Sequence, residues 1–310
     1  MIFPGLEDIC NIAIQVLEQK AFCQQDPDQD EEDDAPEDQA EYDSVLISSA
    51  SDLVAALAAG LGADFGPAFH TFFPLIAKYY VSPLILFSSR HMLSSYIRPQ
   101  NKNRSMSDRS SSIGSLAEVI SGMKSAITPF TEPLLELLYK ALSDSEAEVL
   151  SNAAYAIGLL VENSEVDLSP QYLHLLGALR PLFDVNADAP SAHLNAKDNA
   201  AGAVARLIVR NTVAIPLDQV LPTFFNVLPL KNDYLENEPV FRAIFHLFRN
   251  SGASLLPHLD HLLKIFAVVL DPSGPDQVGD EIRAELIALI GLLNAEQPGK
   301  VQAAGLDVYL

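Results

Sequence analysis

The chain has 310 residues, 49% of them apolar, and a formal net charge of −22. Phosphate backbones are bound by Lys and Arg, so this excess of carboxylates argues against nucleic acid as a direct ligand and favours basic protein partners. Acidity that only keeps a large chain soluble is the alternative. Two cysteines, Cys10 and Cys23, offer no disulfide framework and favour a reducing compartment.

The first 25 residues predict a partial helical repeat. Residues 3–22 have helical apolar spacing, which includes Leu6, Ile9 and Val16. No partner helix precedes them, so we expect the chain to begin inside a repeat. The start lacks a secretory signal, and no apolar stretch reaches the ~18–20 residues of a membrane span, so no membrane association is expected.

Residues 26–43 form an acidic run with eleven carboxylates, no base and two prolines. Such a run repels itself and stays solvated, so we predict a disordered acidic loop over residues 26–41. Two roles stay open for this loop: it holds a basic partner loosely, or it is a plain linker.

Residues 42–310 predict a regular array of helix pairs. Pro129, Pro170 and Pro257 lie near helix starts, where a missing N–H costs no hydrogen bond. The predicted helices are 42–60, 65–80, 108–127, 129–142, 145–163, 169–183, 192–211, 217–228, 233–250, 254–270 and 277–293.

One segment, 81–100, interrupts the regular spacing of helix pairs. It is apolar and basic within an acidic chain. It is interpreted either as a natural insertion or as a translated intron, since its first and last residue pairs can be encoded by splice-site consensus sequences. We assign it no function.

The sequence also repeats itself. IGSLAE at 113–118 matches IGLLVE at 157–162, offset by 44 residues, and NAAYAIGLL at 152–160 matches NAAGAVARL at 199–207, offset by 47. A period in the forties is typical of HEAT or armadillo repeats. We therefore predict an all-α fold, a right-handed α-solenoid of five to six antiparallel helix pairs, which favours a binding scaffold over an enzyme.

Polar residues on the second helix of each pair are the candidate binding residues. They lie off the apolar stripe or at helix starts and are expected to face the concave side of the solenoid. A wholly solvated face without a ligand is the alternative. The candidates are Glu118, Asn152, Tyr155, Glu162, Asp198, Asn199, Glu236, Asn237 and Glu238.

Three of these residues suggest a pocket for a lysine side chain. Tyr155, Asn199 and Glu236 are separated by 44 and 37 residues, roughly one repeat each. An aromatic wall, an amide and a carboxylate suit an ammonium group on an aliphatic stem. Glu118 lies 37 residues before Tyr155 and would extend the negative field.

Catalytic and metal-binding patterns are weak in this sequence. His258 and His261 lie three residues apart, but no Cys or carboxylate cluster completes a metal site. The glycine-rich segment 60–66 follows no predicted strand, and no serine lies in a nucleophile elbow. We expect neither an enzyme nor a cofactor.

The repeats from residue 41 onward resemble the C-terminal part of importin-β-type nuclear transport receptors, in the importin-4 branch. The segments that carry the resemblance are GSLAEVISG, EVLSNAAYAIGLLVE, KDNAAGAVARLI and LPLKNDYLENEPVF. The resemblance implies a HEAT-repeat receptor that shuttles between cytoplasm and nucleus and imports basic cargo such as core histones and ribosomal proteins.

Receptors of this family are about three times longer and bind Ran-GTP through N-terminal repeats. The resemblance therefore implies a monomeric C-terminal fragment in which Ran-GTP binding is weak or absent. The alternative is a generic HEAT-repeat scaffold subunit of a protein complex. The segment LPLKNDYLENE argues against this alternative, because it carries part of the resemblance to the receptors.

Overall fold

The computed structural model describes residues 5–25, 36–80 and 105–310, and of residues 36–40 it describes the backbone alone. The chain forms two compact units, Met1–Val166 and Asp167–Leu310. Within the described residues the regular structure is helical, with no strand. The prediction of an all-α HEAT-repeat solenoid is confirmed.

In the first unit, long second helices stack on one another. The helices are α1 Leu6–Leu17, α2 Pro36–Leu61, α3 Gly66–Ala77, α4 Met106–Met123, α5 Thr131–Ala141 and α6 Ala147–Asn163. Helix α2 packs along α4, and α4 packs along α6. Helix α1 packs on α2, α3 packs on α4, and α5 packs on α6. Each helix pair thus buries its apolar side against the next pair.

The second unit repeats this arrangement. The helices are α7 Tyr172–Leu179, α8 Ser191–Arg210, α9 Leu217–Asn226, α10 Asn237–Asn250, α11 Gly252–Leu255, α12 Leu259–Leu270, α13 Asp280–Glu296 and α14 Pro298–Ala303. Helix α8 packs on α10, and α10 packs on α13. Helix α7 packs on α8, and α14 contacts both α12 and α13.

Helix α2 begins earlier than the sequence predicts. It starts at Pro36, inside the segment predicted as a loop at 26–41, because proline suits the first position of a helix. The rest of that predicted loop, residues 26–35, lies outside the described residues, and so does the predicted insertion at 81–100.

Several first helices of the pairs are shorter than predicted. The segment 169–183, predicted as one helix, contains two 3₁₀ turns, Ser169–Gln171 and Arg180–Asp184, on either side of α7. Pro170 and Pro181 lie in these turns, where the ring removes a donor that an α-helix would need. Periodicity identified the helical segment but not the tighter turns at its ends.

Two helical stretches, Glu41–Ala77 and Gly252–Leu270, are long and apolar enough to cross a membrane by length and composition alone. Neither stretch was expected from the sequence. In the structure a 3₁₀ turn interrupts each stretch, at Gly62–Phe65 and at Leu256–His258, and both stretches contribute side chains to the core.

A polar cluster links three elements of the first unit. It contains Tyr80 after α3, Arg109 in α4 and Asp144 before α6. The Arg109 guanidinium donates two hydrogen bonds of 3.1 Å to the Asp144 carboxylate, which also accepts the N–H of Glu146 at 3.0 Å. Burial works against ionisation of Asp144, but these donors prevail and lower its pKa. Burial and the Asp144 carboxylate raise the pKa of the Tyr80 phenol.

We expect the contribution of Asp144 to stability to depend on pH. Because its pKa is lower in the folded chain, its stabilisation is present above its ordinary pKa and is lost as the pH falls through the folded value. Urea unfolding of the parent and of Asp144→Asn should therefore differ at about pH 7, with the difference shrinking below about pH 4. A difference that stays constant over this range would contradict the assignment.

In the second unit, a buried ion pair joins helix α8 to the 3₁₀ turn Tyr234–Glu236, which precedes α10. Arg206 donates hydrogen bonds of 2.5 and 3.2 Å to the Glu236 carboxylate. Glu236 is only 2% exposed. Gly202 leaves the space for this carboxylate, since a Cβ at that position would overlap Glu236 Oε2.

We expect Gly202→Ala to destabilise the chain although alanine favours helices. The added methyl displaces Glu236 and leaves Arg206 buried without its partner, a change that costs about 3–5 kcal/mol. Gly177→Ala is the matched control, because Gly177 lies in α7 with open space around its Cβ position. The control should gain about 0.5–1 kcal/mol in denaturant unfolding, and equal effects of the two substitutions would refute the explanation.

Candidate functional site

In the first unit, a pit of about 460 Å³ lies between helices α2 and α4. Small residues line it, among them Ala55, Ala59 and Gly122, and a Cβ on Gly122 would lie 2.6 Å from the Ala59 backbone nitrogen. The two helices therefore approach closely only because small residues meet there.

Charged side chains surround this pit. Asp52 on α2 and Glu118 on α4 are exposed carboxylates, and Lys124 at the end of α4 brings one opposing charge. Small apolar residues with carboxylates beside them suit the aliphatic stem and ammonium group of a lysine. Glu118 was predicted from the sequence, but Asp52 was not; the run of small residues after Asp52 was the signal of close packing.

Asn152 and Tyr155 lie on α6, where both are half-buried. The Asn152 side-chain nitrogen donates to the Ser110 carbonyl at 2.9 Å and to Ser110 Oγ at 3.1 Å. Asn152 thus links α6 to α4, one repeat back. Glu162, near the end of α6, is exposed.

In the second unit, Asp198 anchors the loop before α10. Its Oδ2 accepts the backbone N–H groups of Lys231, Asn232 and Asp233 at 3.2, 2.8 and 3.0 Å. The side chain is 4% exposed, so the expectation that it faces solvent is wrong. Buried polar groups need such partners, and this carboxylate satisfies three backbone donors at once.

The same correction applies to Glu236 and Asn237. Glu236 was expected to offer a carboxylate to a ligand, but it is buried against Arg206. Asn237 is also buried, and its side-chain nitrogen donates to the Gln277 carbonyl at 3.0 Å, which links α10 to the loop before α13. Periodicity could not identify the neighbours that take these groups out of solvent.

The remaining two candidates differ in exposure. Asn199 on α8 is buried. Glu238, in the first turn of α10, is exposed and accepts a hydrogen bond from Arg242 at 2.9 Å, and Arg242 also reaches Glu281 at 3.3 Å. An exposed pair of this kind is worth little to stability and keeps its charge near solvent.

The structure divides the predicted lysine pocket between the two units. Glu118 and Tyr155 belong to the first unit, whereas Asn199 and Glu236 belong to the second. Glu118 lines the pit between α2 and α4, whose lining includes carboxylates and small apolar residues but neither the aromatic wall nor the amide of the predicted pocket. A cargo-binding role for the nine candidates stays a prediction.

The two histidines of the HLDH segment have local roles. His261 Nε2 lies 3.0 Å from the Phe225 carbonyl oxygen, within hydrogen-bond distance, and the His258 ring packs edge-on against Phe225. Across residues 5–25, 41–80 and 105–310, no group of three or more His, Cys, Asp or Glu side chains is placed to hold a metal ion.

Comparison with known proteins gives a consistent picture. The chain is 40% identical over 289 residues to the fission yeast (Schizosaccharomyces pombe) protein called probable importin subunit beta-4, which covers 91% of this chain and 25% of that protein. It is 31% identical over 304 residues to human Importin-4, covering 97% of this chain and 25% of the human protein. No protein-family model matches the chain.

Mouse Importin-4 is 30% identical over 293 residues, which is 94% of this chain and 24% of the mouse protein. The chain thus spans about a quarter of the length of these relatives. Because the similarity extends over nearly all of the chain and agrees with its all-α repeat fold, this chain belongs to the importin-β family, in its importin-4 branch.

Proposed function

We propose that this chain is the part of a nuclear import receptor that binds basic cargo, such as core histone tails and ribosomal proteins, on the polar face of its second helices. The observation that carries the proposal is the pit edged by Asp52 and Glu118, in a chain of net charge −22. The relatives named Importin-4 support the receptor role.

The nine candidate residues take two kinds of role in this proposal. Surface residues contact cargo: Glu118, Asn152, Tyr155, Glu162 and Glu238. Buried residues hold the second helices in place: Asp198, Asn199, Glu236 and Asn237. Of these four, Asp198 adds to the negative field, because the charge of Glu236 is paired with Arg206. The lysine of a cargo peptide enters between Asp52 and Glu118, and Tyr155 flanks a neighbouring part of the same peptide.

The receptor role implies partners and a location beyond cargo. The protein shuttles between cytoplasm and nucleus, as importins do. We propose that Ran-GTP contacts lie mainly outside this quarter of the receptor, so that the chain binds Ran-GTP weakly. As a separate proposal, the chain is a monomer. We propose no catalytic activity and no cofactor.

Charge reversal at Glu118 tests the cargo site. Glu118→Lys should weaken binding of a core-histone-tail peptide by about 1–3 kcal/mol, because it removes a charge-assisted contact and adds repulsion. Fluorescence anisotropy at physiological salt measures the change. Acetylating the engaged peptide lysine should act in the same direction, since it removes the charge.

Glu132→Lys is the matched control for this test. Glu132 is an exposed carboxylate on α5, a first helix of a pair, so its reversal changes net charge equally at another place. If Glu118→Lys and Glu132→Lys weaken peptide binding equally, the net charge of the chain explains the effect and no specific site at Glu118 is needed. Unchanged binding of Glu118→Lys would show that the peptide binds elsewhere.

The acidic segment before α2 is expected to act on the rate of cargo association. Residues 26–35 carry seven carboxylates, and replacing them with a Gly/Ser segment of equal length should slow association with a histone-tail peptide at low salt. The effect should fade at ~0.3 M salt, where the Debye length is below about 8 Å. Stopped-flow association rates across a salt series measure this, and an unchanged salt dependence would rule out the long-range role.

A further inference from the structure

An apolar groove of about 680 Å³ lies between helices α10 and α13 in the second unit. Two leucines form its rim and stand largely in solvent: Leu256 is 61% exposed and Leu292 is 69% exposed. Buried side chains form its floor, namely Phe245, Leu255, Leu259 and Leu293.

The rim leucines are not needed for packing within the chain. Helix α13 buries Leu286, Ile290 and Leu293 on its inner side, and Leu292 lies off that stripe. Single exposed leucines are ordinary, but two exposed leucines that line one groove together with buried apolar side chains form the kind of patch that marks an interaction site. The groove uses none of the residues of the proposed cargo face.

Charged groups mark the two ends of the groove. Arg249 on α10 pairs with Glu285 on α13. Glu296 is the last residue of α13 and is exposed, and the carbonyl groups at the end of that helix add negative potential beside it. Glu285 and Glu296 lie about 16 Å apart along α13, because an α-helix rises about 1.5 Å per residue. This distance corresponds to about three helical turns.

We propose that this groove docks one amphipathic helix of a basic protein partner. Leucine-sized side chains of that helix, spaced i, i+3, i+4 and i+7, occupy the groove, and a Lys or Arg at one end meets Glu296. An extended peptide fits poorly, because the middle of the groove offers only apolar side chains and would leave its backbone N–H and C=O groups unpaired. A helix satisfies its own backbone and presents only side chains.

The test uses the whole 310-residue chain and a labelled 16-residue peptide of Ala, Gln and Leu, with leucines on one helical face and two lysines at its C-terminus. Fluorescence anisotropy should detect binding, and Leu256→Asp and Leu292→Asp should each weaken it about tenfold or more, because each places a charge in an apolar contact. Both positions are exposed, so circular dichroism melts should match the parent.

Leu173→Asp is the matched control. Leu173 is 68% exposed in the same unit but does not line the groove, so this variant should bind like the parent. A charge swap tests the polarity of the site: Glu296→Lys should weaken the lysine-ended peptide and strengthen a glutamate-ended one.

Three results would overturn the proposal. The first is equal binding by the parent and Leu292→Asp, or no binding at all. The second is equal binding of a peptide with the same composition whose leucines are spread around the helix, which indicates nonspecific adhesion. The third is a concentration-dependent dimer in sedimentation equilibrium that Leu292→Asp abolishes, because the occupant would then be a second copy of this chain.

Discussion

The structure depends on one constraint: a single helix pair cannot bury its own apolar face and must stack on the next pair. Small residues make the stacking close. Gly122 lets α4 approach the backbone of α2, and Gly202 leaves room for a carboxylate from the following repeat. Because every pair needs its neighbour, a substitution at such a contact acts on two repeats at once.

Several polar side chains at repeat spacing form hydrogen bonds between neighbouring repeats. Asn152 reaches back to Ser110, Asp198 holds the loop before α10, and Asn237 reaches the Gln277 carbonyl. Each contact joins residues 34 to 42 positions apart, which is about one repeat. A ladder of polar residues along a solenoid is therefore first a set of links between repeats.

The proposed cargo site uses charges that stacking leaves exposed. Asp52 and Glu118 line a pit together with small residues, so the same close approach that stabilises α2 against α4 also shapes the proposed site. Apolar side chains left exposed, such as Leu256 and Leu292, define a second kind of surface with different chemistry.

The all-α repeat fold, most helices within a few residues and the acidic character follow from the sequence, because helical periodicity, prolines and charge are local properties. Which polar side chains remain exposed to solvent depends instead on how the repeats pack. Glu118 lies within α4 and Glu236 lies in the 3₁₀ turn just before α10; the first carboxylate is exposed, and the second is buried against Arg206. Periodicity shows which side of a helix is polar, but the burial of a carboxylate depends on the residues brought against it from the neighbouring repeat, here Arg206 and Gly202, and only packing brings them together.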